Sequence, residues 1–169
     1  VFGSGKVVDR VAMKTNFRIV ALPLRQFQPL FSLDDNELAQ KSARRLIVDA
    51  KPGFPCRVSL RDAEIGERVI LVPFVHHDVD SPYRASGPIF VREAAKEIRP
   101  APGELPDVVA SRVISVRAYN DKGVMVNSAI TPGKELKAQI ENFFGDAKIS
   151  YLHLHNAGAG CYSCRVERA

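Results

Sequence analysis

The sequence predicts an α+β fold: a single domain built on a mostly antiparallel sheet of seven or eight strands, with a few helices packed on it. Three observations predict it. Short apolar or alternating runs recur along the chain, punctuated by Pro, Gly, Asn and Asp. Asn120-Asp121-Lys122-Gly123, set between the runs 112–119 and 124–130, is a strong hairpin signal. Only the segment 132–144 carries a sustained helical stripe.

Taken in order, Phe17 to Leu22 reads as a short strand ended by Pro23. Leu24, Phe27, Leu30 and Phe31 then recur at helical spacing, and Asp34-Asp35-Asn36-Glu37 opens a second short helix, since acidic groups suit a first turn with unpaired N–H groups. Arg45 to Ala50 and Cys56 to Leu60 read as strands around the rigid loop Lys51-Pro52-Gly53-Phe54-Pro55. Val69 to Val75 is the longest apolar run and leads into His76-His77; Pro73 inside it implies an edge or a bulge. A polar loop, 78–87, precedes a strand from Ile89 to Arg92, and 98–104 reads as a surface connector. The helix 132–144 has Thr131 as its expected cap, Pro132 in its first turn, Gly145 at its end, and Leu136, Ile140, Phe143 and Phe144 as its apolar stripe. Lys148 to His155 and Cys161 to Glu167 are the final strand pair, joined across Ala157-Gly158-Ala159-Gly160.

Composition narrows the function classes. The 169 residues are 46% hydrophobic and 25% charged, values of an ordinary folded domain, and no run approaches the length of a membrane span. The net charge of +5 comes from basic residues interleaved with acidic ones, which argues against a nucleic-acid partner. Fifteen arginines against nine lysines favour buried ion pairs or a small anionic partner, because the guanidinium fork clamps carboxylate or phosphate. Three cysteines are too few for a disulfide-stapled secreted domain, and the expected compartment is the cytoplasm. Met13-Lys14-Thr15-Asn16 reads as a start, so residues 1–12 are expected to be an extension and 13–169 the domain.

Tyr151, His153 and His155 fall on one face of their strand, from which two imidazoles about 6.6–6.8 Å apart along the backbone can converge on one atom. Cys161 and Cys164 tempt a zinc reading, but residues three apart on a regular strand point to opposite faces. An odd-length hairpin loop would place Cys161, Ser163 and Arg165 on the histidine face; an even one would place Tyr162 and Cys164 there. Tyr83, Arg84 and Ser86 sit on the loop after His76-His77 and suit a carboxylate or phosphate, although Arg84 has Asp78 and Asp80 nearby in sequence as ordinary partners.

The segments KPGFPCRVSL (51–60), SPYRASGPIFVR (81–92) and HLHNAGAGC (153–161) together resemble a bacterial family, domain of unknown function 1203, over about 17–168. The resemblance implies no activity or cofactor. It does imply site positions: Cys56, Arg57, His76, Tyr83, Arg84, Ser86, His153, His155, Asn156 and Cys161. Cys164 and His77 fall outside its pattern.

The first reading is therefore a protein that binds or acts on a small anionic molecule at a His/Cys/Arg pocket. Cys161, His155 and His153 would be the catalytic groups, and His76, Tyr83, Arg84, Ser86, Arg57 and Asn156 would bind the ligand. His76, Arg84, His155 and Cys161 are expected to line one concavity, and no metal is assigned: the purified protein is expected to carry no stoichiometric zinc. Two alternatives stay open, a non-catalytic interaction module and a metal-dependent enzyme using His76, His153 and His155 with a fourth position for water. Removal of residues 1–12, with Gly3-Ser4-Gly5 among them, should leave the melting temperature nearly unchanged; a large fall would make them part of the core.

Overall fold

A computed structural model describes residues 16–169; the expected extension at 1–12 lies outside the described residues. Eight strands form two antiparallel sheets. The first holds β1 (Phe17–Val20), β5 (Val113–Tyr119), β6 (Met125–Pro132), β7 (Tyr151–Asn156) and β8 (Tyr162–Arg168) in the order β1-β8-β7-β5-β6. The second holds β2 (Arg44–Ile47), β3 (Arg68–His77) and β4 (Ala85–Arg92) in the order β2-β3-β4. The α+β class and the antiparallel pairing agree with the sequence. The division into two sheets could not be read from local pattern.

The larger sheet is buried on both sides at its centre. Leu152, Leu154, Val116, Ala118 and Cys164 join Leu136, Ile140, Phe143 and Phe144 of α4 (Leu136–Phe144) in one apolar cluster. All four residues of the expected stripe are buried. The helix itself begins later than expected. Pro132 ends β6, a 3-10 turn spans Gly133–Glu135, and Thr131 lies in the strand and not at a cap. Gly133 explains the delay, because a Cβ there would sit 2.1 Å from the Ala110 carbonyl oxygen. Only a residue without a side chain passes α3 (Asp107–Ala110), a short helix that the sequence reading missed.

The smaller sheet carries its own core. Ile70, Val72, Ile89 and Val91 pack with Phe27 and with Leu38 of α2 (Asp35–Gln40). The 24–31 segment forms a 3-10 turn, Leu24–Gln26, followed by α1 (Gln28–Phe31). At α2 the acidic start works as a capping box: Asp34 accepts from the Glu37 backbone N–H at 2.8 Å, and Glu37 accepts from that of Asp34 at 2.8 Å. Pro73 is tolerated because β2 pairs only with Arg68–Leu71, leaving that side of β3 open beyond it.

Cys56 to Leu60 is not a strand. The alternation there marks a fully buried turn, held by bridges Pro55–Asp62 and Cys56–Phe90, in which Leu60 takes a φ of 46°. β4 starts at Ala85, so the expected loop at 78–87 is shorter. The arginine excess serves ion pairs in part: Arg112 reaches both carboxylate oxygens of Asp62 at 2.7 and 2.9 Å, Arg45 holds Glu93, and Arg92 holds Glu67, whose carboxyl is pulled down to about 2 by that guanidinium. Truncation of the buried Ile140 to Ala should cost about 2–5 kcal/mol, read as a lowered denaturant midpoint at unchanged slope.

Candidate metal centre

All four histidines and all four tyrosines of the chain gather where the two sheets meet. Three local devices bring them there. The period of two on β7 sends Tyr151, His153 and His155 to one face while Leu152 and Leu154 enter the apolar cluster on the other. On β3, Phe74 pairs with Gly87 and His77 with Ala85, so that two residues, Val75 and His76, stand against Ser86 alone. Such a bulge re-aims side chains, and here both His76 and His77 approach His153, with ring centroids at 6.0 and 4.9 Å. On β8, His155 pairs with Tyr162 and Leu154 with Cys164, leaving Ser163 as an extra residue.

That second bulge answers the question of the cysteines. Tyr162 faces the histidines, stacked on His76 at 5.1 Å with an interplanar angle of 8°. Cys164 is turned into the apolar cluster, where burial pushes its thiol up to about 12. Cys161 instead lines a cleft of about 620 Å³ with Pro52, Arg57, Phe90 and Asn156. Neither cysteine joins the histidines.

His76, His153 and His155 each offer a ring nitrogen, and these atoms lie within 4.8 Å of one another. His76 Nδ1, His153 Nδ1 and His155 Nε2 are buried with no hydrogen-bond partner. The other nitrogen of His155 lies 2.9 Å from the Gly160 carbonyl oxygen and donates to it, so the proton sits on Nδ1 and the lone pair on Nε2. Gly160 can present that carbonyl because it holds a φ of 77°, which closes the turn with its own N–H on the Asn156 carbonyl at 2.8 Å. His77 is occupied differently. Its Nδ1 donates to the Tyr83 carbonyl at 2.7 Å and its Nε2 accepts from the Tyr151 hydroxyl at 2.7 Å, which leaves no lone pair free.

Electrostatics keep the three imidazoles neutral. Burial holds His155 down to about 3 and His153 to about 2, the latter with help from His77 and His155; His76, half-buried, is held to about 4 by burial, Arg117 and His77. Neutral imidazole is the form that ligates a metal.

The structure does not assemble the expected single concavity. Arg84 is exposed and paired with Asp78 at 2.9 Å, and Ser86 lines a separate shallow cleft with Pro73 and Pro88. Tyr83 stands at the edge of the cluster, 6.4 Å from the Tyr119 ring, and is 39% exposed. Arg57 is buried, donating to the carbonyls of Tyr162 (2.8 Å) and Pro55. Asn156 borders the Cys161 cleft and carries a buried Oδ1 without a partner. Cys56 is buried, and its sulfur accepts from the Arg92 N–H at 3.4 Å. The sequence offers Tyr162 on the histidine face only as the even-loop alternative and sets His77 aside; Tyr119 and Arg117 carry no local signal, since their place opposite Tyr151 and His153 depends on the β5–β7 pairing.

Fold and site together define a two-sheet α+β protein with a histidine and tyrosine cluster at the junction of its sheets. The chain belongs to the family described as protein of unknown function DUF1203, whose model matches residues 53–168. No curated protein and no solved structure matches it.

The buried neutral histidines make stability depend on pH with a definite sign. Their folded values are depressed below the unfolded value of about 6.5, so on acidification the unfolded chain takes up protons that the native one refuses. Stability is complete above that value and falls as pH drops, by about 2 kcal/mol for each of His153 and His155 on reaching about pH 5. The half-buried His76 contributes less. Urea midpoints of chelator-treated protein at pH 7.5 and pH 5 check this; equal midpoints would contradict it.

Proposed function

We propose that the protein is a metal-binding protein whose centre is a divalent transition-metal cation held by His76, His153 and His155. One observation carries the reading: three neutral imidazoles each bring a ring nitrogen within 4.8 Å of the others, and each of the three rings keeps a buried nitrogen without a hydrogen-bond partner. Leaving such groups unsatisfied costs roughly 1–3 kcal/mol each, and a cation relieves all three together. Zinc bound to imidazole at about 2.0–2.1 Å brings its ligands to about 3.3 Å from one another, a closure within reach of small χ rotations. The hydrogen bond from His155 to the Gly160 carbonyl is the outer contact that orients a ligating imidazole.

Imidazole ligands suit zinc, copper, nickel and iron, and a set of three leaves the fourth position of a tetrahedral ion open. Held by His76, His153 and His155, such an ion would supply Lewis acidity to a group in that position. The reading takes up the metal alternative of the sequence analysis and replaces the assignment without metal, which rested on the cysteines. The small anionic partner at a His/Cys/Arg pocket loses its support in Arg84, which Asp78 occupies at the surface.

The test is titration of chelator-treated protein with Co²⁺ and Zn²⁺. One equivalent should bind, raise the melting temperature in proportion to the logarithm of metal concentration, and give cobalt visible bands of a low-coordinate nitrogen site. His76→Ala, at the half-buried ligand, should weaken binding at least tenfold with the fold intact, and Cys161→Ser should not change it. Binding below one equivalent, or binding indifferent to His76→Ala, would refute the proposal.

A further inference from the structure

The flanks of His153 differ in one respect that bears on what the centre binds. In the five-stranded sheet His153 is paired with Arg117 on β5 and with Arg165 on β8. Directly opposed residues share a face with Cβ atoms about 4.5–5.5 Å apart, so both guanidinium stems rise beside the histidines. Arg165 is engaged: it pairs with Glu167 at 2.7 Å, and its guanidinium lies 3.9 Å from the Tyr151 ring centroid. Arg117 is half-buried; its guanidinium reaches the Tyr119 hydroxyl, a neutral partner, and among the described residues it makes no ion pair. Its charge is nevertheless felt at both His76 and His155.

One carboxylate borders the cluster: Glu167, paired across from Tyr151, is taken up by Arg165 at 2.7 Å. The charge of Arg117 has no such counterpart among the described residues. A divalent cation there would sit among neutral rings with a guanidinium beside it whose charge no carboxylate balances, and a buried excess of positive charge calls for an anion.

We propose that Arg117 is the anion-binding residue of the centre, and that the substrate class is a small carboxylate spanning the metal and its guanidinium. The proposal rests on the three-histidine reading. One oxygen takes the open metal position and the other accepts from the Arg117 fork, the planar geometry at which guanidinium exceeds ammonium. An anion with a single donor atom gains the metal bond without the fork.

The experiment uses the cobalt-loaded protein, titrated with acetate and with azide and followed by the visible bands. Acetate should bind the wild type, and Arg117→Gln should weaken acetate at least tenfold while changing azide less than threefold. Arg117→Lys, which keeps the charge and loses the fork, should fall between for acetate, and it serves if the Gln variant does not fold. Cobalt bound with acetate affinity unchanged in Arg117→Gln, or acetate and azide weakened alike, overturns the carboxylate assignment and leaves the metal centre standing. A wild-type protein that takes up no cobalt overturns both.

Discussion

Two sheets meet in this protein across a layer of imidazole and phenol rings, and the desolvation of those rings is the constraint on which the rest depends. Burying His153 and His155 at 1% and 0% exposure is possible only while they stay neutral, since a buried imidazolium without a carboxylate would be prohibitive. The fold meets that condition in two ways. His77 is saturated by hydrogen bonds to Tyr83 and Tyr151, whereas each of the other three rings keeps a buried nitrogen without a partner. A purely structural layer would have partnered those atoms with hydroxyls; the four tyrosines are close by, yet only Tyr151 bonds a histidine.

The two bulges follow from the same demand. A regular β3 would send His76 and His77 to opposite faces, and a regular β8 would place Cys164 on the face of Tyr162. One extra residue in each strand reverses both outcomes. The cost is a locally broken ladder, met where the strand pairs end and where the neighbouring loop can supply hydrogen bonds, as Gly160 does for His155. Packing on the far side of the sheet secures the arrangement: α4 fixes Leu152 and Leu154, and thereby fixes which face His153 and His155 present.

Much was legible in the residues themselves. Alternation placed Tyr151, His153 and His155 together, the stripe of α4 named its buried residues, and Asp34 with Glu37 marked a helix start. These are local consequences of period and hydrogen-bonding capacity, which a short window contains. His155 and Cys161 read as one site in the sequence because they flank the same turn. In space His155 turns to His76, while Cys161 lines the cleft with Arg57 and Asn156.

By itself the sequence determined the α+β class, the two hairpins β5–β6 and β7–β8, the helix α4 and the shared face of the β7 histidines, because each follows from interactions within a few residues or across a tight turn. Tertiary structure alone decided that the strands split into two sheets, that His76 crosses from one to the other, and that Arg117 meets only the Tyr119 hydroxyl while Arg84 and Arg165 have carboxylate partners. Those outcomes depend on register and on bulges between segments about 75 residues apart. A single inserted residue there reverses which side chains meet, and no local propensity records it.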